Sequence, residues 1–207
     1  MTTSNSMRGL SSRQAVIKRS FDVFVSTLGI VLAGWLIIVA WCLSTFDTKS
    51  NGFFMQSRVG LKGKQFKVIK IKTMRPVESV VTTVTTVTDP RITSLGKIFR
   101  KTKIDELPQL INVLLGHMSF VGPRPDVPGF ADKLKGEDRI ILTVRPGITG
   151  PATLKYKNEE QILSFQKDPE VYNENVIFPD KVAINREYVQ NYSFIADLHY
   201  LLKTLFN

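Results

Sequence analysis

A chain of 207 residues can hold one domain with a sizeable core. Its single cysteine, Cys42, excludes an intrachain disulfide, and two isolated histidines, His117 and His199, exclude a His/Cys metal cluster. The formal net charge of +10 favours nucleic acid, anionic lipid or phosphorylated ligands as partners, without choosing among them.

Residues 1–17 are polar and Ser/Thr-rich, with Arg8 and Arg13, and are expected to form a mobile tail. From Val23 to Phe46 no residue is charged, and a run of about 20 apolar residues is enough to cross a bilayer. A membrane helix is therefore predicted over 18–47, with a buried soluble helix as the plain alternative. Basic residues flank both ends: Arg8, Arg13, Lys18 and Arg19 before, Lys49, Arg58, Lys62 and Lys64 after. A spanning helix shows its Lys/Arg excess on the cytoplasmic side only, so this pattern suits a re-entrant helix that enters and leaves by one face. Such a helix needs a break near its middle, and Gly29 and Gly34 are the only intrinsic weak points.

Residues 53–75 alternate apolar and basic side chains, punctuated by Gly60 and Gly63, which predicts a short strand pair with one cationic face. The Thr/Val-biased stretch 77–88 is compatible with a strand or a loop. Asp89-Pro90-Arg91 turns the chain, and Ile92 to Lys103 reads as a basic amphipathic helix or turn. The charge is concentrated here. Residues 58–103 hold twelve Lys/Arg against Glu78 and Asp89, an excess equal to that of the whole chain.

Asp105 and Glu106 close this basic block. Leu107, Leu110, Ile111, Leu114 and Leu115 then follow helical spacing, Pro108 suits a first turn and Gly116 a C-cap. The carboxylates thus sit at a helix N-terminus, where the dipole and nearby cations are expected to keep both ionised. Capping is the ordinary role of such residues. Ionised carboxylates among cations also suit a nucleophile and a metal ligand acting on a phosphorylated substrate.

Two rigid Pro/Gly loops follow, Phe120-Val121-Gly122-Pro123-Arg124-Pro125 and Val144-Arg145-Pro146-Gly147-Ile148-Thr149-Gly150-Pro151. Each holds up one arginine. With Arg100, these guanidinium groups could clamp a diphosphate, although plain turns are the simpler reading. The segment Ile184 to Phe206 is predicted helical, with Ile195, Leu198, Leu201, Leu202 and Leu205 in one stripe. It suits a membrane interface or a core-packing helix. No phosphate-binding Gly-x-x-x-x-Gly-Lys loop and no Gly-x-Ser-x-Gly elbow occurs, so ATP-driven and serine-hydrolase chemistry have no support.

Several of these stretches, in order, resemble the bacterial sugar transferase family, the monotopic polyprenyl-phosphate phosphoglycosyl transferases. The matching pieces are Lys18-Arg19-Ser20-Phe21-Asp22, Gln56-Ser57-Arg58-Val59-Gly60, Phe66 to Met74, Asp89-Pro90-Arg91-Ile92-Thr93, Leu95 to Thr102, Asp105-Glu106-Leu107-Pro108-Gln109-Leu110, Met118 to Pro125 and Val144 to Gly150. Each piece is weak, but their collinearity is highly specific.

The resemblance implies an α+β, predominantly helical, monotopic membrane protein. It would have an N-terminal re-entrant helix, a small β-hairpin and interfacial amphipathic helices, with residues 48–207 as a cytosolic catalytic domain. It implies transfer of a sugar-1-phosphate from a UDP-sugar to undecaprenyl phosphate with release of UMP. This is the first membrane step of capsule, O-antigen or exopolysaccharide assembly at the cytoplasmic face of the bacterial inner membrane. Asp105 would attack the sugar-side phosphate and carry the phosphosugar, and Glu106 would help hold Mg²⁺. Arg100, Arg124, Arg145 and Lys72 would bind substrate. Nucleic acid is not an implied partner. The donor sugar is open, with an N-acetylated one favoured, as is the oligomeric state, with a homodimer as one alternative.

Three departures stand out. Gly34-Trp35 replaces the family's helix-breaking Ser-Pro pair, which leaves a spanning helix possible. His117 stands where Asp is common, and Pro151-Ala152-Thr153-Leu154 replaces the commoner Trp-Ala-Gln. Two other classes compete: a basic membrane-tethered binding module without catalysis, which leaves the Asp105-Glu106 pair unexplained, and a glycosyltransferase that releases UDP.

Overall fold

The computed structural model describes residues 9–75 and 89–206, so the stretch 77–88 and residues 1–8 of the expected tail lie outside it. Helix α1 runs from Ser12 to Thr48. It starts earlier than the predicted 18, because Ser11 and Gln14 form a reciprocal capping box, and it ends at Lys49 in the left-handed region. At 37 residues it is about 55 Å long. Its backbone is helical through both glycines, so the expected break at Gly29 or Gly34 does not occur. Two isolated glycines weaken a helix without freeing its backbone hydrogen bonds, which an apolar run must keep. Gly29 serves packing instead: a Cβ there would sit 3.2 Å from Leu110 Cδ1.

The hairpin is as predicted. β1 (Phe53–Val59) pairs antiparallel with β2 (Gln65–Ile71), from Phe53 opposite Ile71 to Val59 opposite Gln65. The basic segment becomes α2 (Ser94–Thr102), capped by Thr93, whose side chain accepts from the Gly96 amide. A 3₁₀ turn (Ile104–Glu106) leads into α3 (Gln109–Leu114). Gly116 takes φ +80 just beyond it, the role expected of a helix-terminating glycine.

The two Pro/Gly loops, read from sequence as independent turns, pair with each other. β3 (Ser119–Val121) and β4 (Gly147–Thr149) run parallel, and the Gly147 amide donates to Pro123 O at 2.8 Å. A Cβ on Gly147 would collide with the Gly122 backbone, so glycine is required for this approach. Short helices α4 (Pro151–Lys155), α5 (Glu159–Ser164) and α6 (Pro169–Tyr172) lead to α7 (Phe178–Gln190) and α8 (Phe194–Phe206). The largest buried cluster joins Val59, Val121, Ile140, Ile141, Leu142 and Val144 to Val182, Tyr188 and Val189 of α7.

One asparagine fixes how α3 sits on the hairpin. Asn112 is 1% exposed. Its side chain accepts from the Ile69 amide at 3.0 Å and donates to Lys67 O at 2.8 Å, pairing the open edge of β2 as a third strand would. Its own carbonyl accepts from the His117 and Met118 amides.

Helices α1 and α8 are turned inside out. The buried residues of α1 include Lys18, Asp22, Ser26, Ser44 and Thr48, while Phe24, Leu28, Val31, Leu32, Trp35 and Ile38 are exposed. Only 17% of its most apolar window is buried, unlike the core helix of a soluble protein. Asp197 is the buried residue of α8, and Ile195, Leu202, Leu205 and Phe206 face outward. Of the predicted stripe, Leu201 alone packs against the main core. The inward polar groups are paired. Lys18 bridges to Asp197, Tyr188 and Tyr192 donate to Asp197, and Asp22 accepts from Ser119 Oγ and the Phe120 amide.

Replacing the buried Asn112 with Ala leaves a part-buried amide and carbonyl of β2 without their partner. The expected cost is about 2–3 kcal/mol, read by urea unfolding in detergent micelles, and a loss below about 0.5 kcal/mol would show that the clamp is dispensable.

Candidate functional site

Asp105 and Glu106 lie in the 3₁₀ turn between α2 and α3. The turn is aimed by Lys103, which adopts φ 59 and accepts on its carbonyl from the Glu106 amide. A left-handed non-glycine residue is locally unfavourable, and its persistence here shows that the surroundings dictate it. Ile104 and Leu107 pack against the cluster of Ile37, Ala40, Ile71 and Phe99, so the C-terminal part of α1 supports the turn directly.

The two carboxylates have opposite environments. Lys70 Nζ and Arg124 both donate to Glu106 Oε1, at 2.8 and 2.9 Å. Burial pushes the Glu106 carboxyl up, but Arg124 and Lys70 outweigh it and hold it far below the usual range. Asp105 is 7% exposed, and its Oδ1 is buried with no hydrogen-bond partner. Burial, and then the adjacent Glu106 charge, push its carboxyl up to about 6; Lys70, Arg100 and Lys103 offset this only in part. The cations therefore hold Glu106 firmly ionised but do not lower Asp105, whose carboxyl sits above its ordinary value though still below neutral pH. The helix that follows is short, and the close cations bond to Glu106.

Arg124 lies on the loop after β3 and pairs with Glu106. Arg100 lies near enough to act on Asp105 and pairs with Glu160 of α5 at 3.3 Å. With side chains 27% and 46% exposed, that pair is weak and open to displacement by an incoming phosphate. Arg145 is elsewhere. Its Nε donates to Gly116 O at 2.9 Å, beyond the C-terminal end of α3, where Arg19 binds the Val113 and Leu114 carbonyls. Lys72 is also turned away, beyond the end of β2, with Nζ on Ser50 Oγ at 2.9 Å. Lys70 occupies the place given to Lys72. Alternation marked β2 as cationic, but only its docking on α3 selects which lysine meets Glu106.

Arg58 and Asp126 were missed by the sequence reading. Arg58 donates to Pro125 O at 3.2 Å, and the Val59 amide donates to Asp126 O at 2.9 Å, so the end of β1 holds the Arg124 loop. The Asp126 carboxyl is pushed up to about 6 by burial, against Lys181 and Arg58. Among the described residues, no group of three or more His, Cys, Asp or Glu is placed to hold a metal ion by itself. A hard cation here would rest on Asp105 and Glu106 and draw its other ligands from phosphate oxygens and water, the ordinary arrangement for Mg²⁺.

The sign of the Asp105 shift gives a stability test. Its folded-state value lies above the ordinary aspartate value of about 3.9, so its penalty is absent below about pH 4 and complete above about 6. Asp105→Asn should therefore be more stable than the parent by about 2–3 kcal/mol at pH 8, with little difference at pH 4. Urea titrations at the two pH values check this, and a variant less stable at pH 8 would contradict it.

Residues 13–207 match the family described as bacterial sugar transferase. The exopolysaccharide production protein ExoY of Sinorhizobium fredii is 32% identical over 206 residues, which cover 92% of this chain and 84% of that protein. A UDP-glucose:undecaprenyl-phosphate glucose-1-phosphate transferase of Caulobacter vibrioides is 32% identical over 192 residues, 91% of this chain and 68% of its own. A UDP-N-acetylgalactosamine-undecaprenyl-phosphate N-acetylgalactosaminephosphotransferase of Aeromonas hydrophila is 36% identical over 140 residues, 66% of this chain and 33% of its own. The collinear motifs, the hairpin-docked carboxylate pair and these similarities agree: the chain belongs to the bacterial sugar transferase family.

Proposed function

We propose that this protein transfers a sugar-1-phosphate from a UDP-sugar to undecaprenyl phosphate, releasing UMP, through a phosphosugar carried on Asp105. The carrying observation is the buried, unpartnered Asp105 oxygen beside a carboxylate that has taken the nearest cations. An ionised Asp105 oxygen attacks the sugar-side phosphorus of the donor. A P–O bond forms, the bond to the bridging oxygen breaks, and UMP leaves with the electron pair. An oxygen of the lipid phosphate then attacks the same phosphorus, and the bond to Asp105 breaks to restore its carboxylate.

Arg124, Arg100 and Lys70 supply positive charge for the diphosphate, Arg100 by exchanging Glu160 for a phosphate oxygen. The residues fit Mg²⁺. Asp105 Oδ1 lacks a partner, and Glu106 receives both its cations on Oε1. We assign Glu106, beside Asp105, to hold that ion, which when bound would neutralise the diphosphate and stabilise departing UMP. Relatives named for glucose and for N-acetylgalactosamine both match, so the shared residues do not choose the sugar.

We assign α1 to a re-entrant position in the bacterial inner membrane, held at one face as an unbroken helix rather than turned by a central break, with the site on the cytoplasmic face. Support comes from both ends of the helix packing on one domain. Lys18 and Asp22 meet α8 and β3, and Ser44 donates to Lys72 O, while residues 27–36 are nowhere fully buried. The exposed apolar faces of α1 and α8 suit lipid contact. The reaction places the protein at the start of glycan assembly on a lipid carrier, as the exopolysaccharide names of its relatives suggest.

Asp105→Asn should abolish UMP release from UDP-sugar, and the parent rate should climb with pH to a plateau above about 6, because the carboxylate is the active form. Normal UMP release by that variant, or UDP as the product, would refute the covalent route. In a Cys42→Ser background, Arg13→Cys and Lys49→Cys should react with a membrane-impermeant thiol reagent from the same side of sealed vesicles. Labelling from opposite sides would mean that α1 spans.

A further inference from the structure

Gln109 is 3% exposed, and its Nε2 is buried without a hydrogen-bond partner. Leaving such a donor unpaired is costly, and few groups in a folded protein are left so. Asp105 Oδ1 is in the same condition. The two residues are linked by chain geometry. From Ile104 through Leu114 the backbone winds right-handed, with Leu107 and Pro108 in the helical region between the 3₁₀ turn and α3. Gln109 lies four residues after Asp105 and three after Glu106. With Leu107 and Pro108 in the αR region and Gln109 opening α3, spacings of three and four place Gln109 on the helix face that carries the carboxylate pair.

Its side chain is confined by its row. Glu106, Gln109 and Asn112 are spaced by three. Glu106 is tied to Lys70 of β2, and Asn112 to the Ile69 amide and Lys67 carbonyl of the same strand. Gln109 is thus held between two fixed points at the floor of the site. Packing alone would be met by an apolar side chain of similar size, which would carry no unpaired donor.

We infer that Gln109 is a phosphoryl-binding residue of the transfer site, its Nε2–H donating to a non-bridging oxygen of the phosphoryl group carried at Asp105. The inference rests on the reaction proposed above. The acceptor that the amide lacks within the protein is one the substrate supplies. No proton is transferred; the amide stabilises charge that gathers on those oxygens as bonds to phosphorus form and break.

Gln109→Met keeps length and volume and removes the donor, and Gln109→Glu replaces it with an acceptor. Each is purified in detergent, melted, and assayed for UMP release with a UDP-sugar and undecaprenyl phosphate. The expected result is a melting temperature for Gln109→Met at or above that of the parent. Its kcat should fall about 10²-fold with the donor KM within about threefold, and the loss for Gln109→Glu should be at least as large. A kcat within about threefold of the parent in either folded variant would overturn the inference. So would a KM effect with kcat unchanged, or failure of both variants to fold, which would make the amide structural. Undiminished UMP release by Asp105→Asn in the same assay would instead sink the covalent reading on which this one stands.

Discussion

The docking of α3 on the hairpin through Asn112 sets the geometry of the site. A buried asparagine that satisfies one amide and one carbonyl of β2 fixes the register of helix against strand, because a slip would leave both backbone groups unpaired. That register brings Lys70 to Glu106. It also holds Gln109 and Asp105 on a rigid floor, with the C-terminal part of α1 behind them. A glycine-rich crossing of β3 and β4 then delivers Arg124 from the other side. The carboxylate pair sits on a turn, but elements locked by backbone hydrogen bonding aim it.

Adjacent carboxylates with unlike surroundings can divide two tasks. Glu106 receives both Lys70 and Arg124 and stays ionised. Asp105, buried next to that charge and without a hydrogen-bond donor on Oδ1, gives up its proton only near pH 6. A carboxylate that is poorly solvated and unpaired is a better nucleophile than one tied to cations. The asymmetry thus suits an attacking Asp105 beside a charge-holding Glu106.

The inverted faces of α1 and α8 follow one solvent rule. In water an aspartate belongs outside and a phenylalanine inside. Here Asp22 and Asp197 are buried and accept hydrogen bonds from within the protein, while Phe24, Trp35 and Phe206 point outward. Against hydrocarbon, the polar groups must find partners within the protein, and the apolar ones need none. The Lys18–Asp197 bridge, with both tyrosine hydroxyls on the aspartate, joins the first helix to the last and seats both on one domain.

Much of this was legible in the residues themselves. Uncharged length marked α1, alternation marked the hairpin, and the Asp-Glu-Leu-Pro-Gln start with its terminal glycine marked the turn and α3, because these depend on local periodicity and backbone preference. Tertiary structure decided what depends on distance between separate elements. Whether Lys70 or Lys72 faces Glu106 is set by where β2 ends and α3 docks. Arg145 looked equivalent to Arg124, yet it binds the Gly116 carbonyl beyond the far end of α3, because the pairing of β3 with β4 sends the two loops to different places. The upward shift of Asp105 reflects burial among neighbours from three segments, and the unpaired amide of Gln109 exists only once its surroundings have closed around it. Sequence by itself marked α1, the hairpin, the turn with α3 and the adjacent carboxylates. Packing alone decided which charges meet, because Coulomb energy and desolvation depend on distances that no single segment contains.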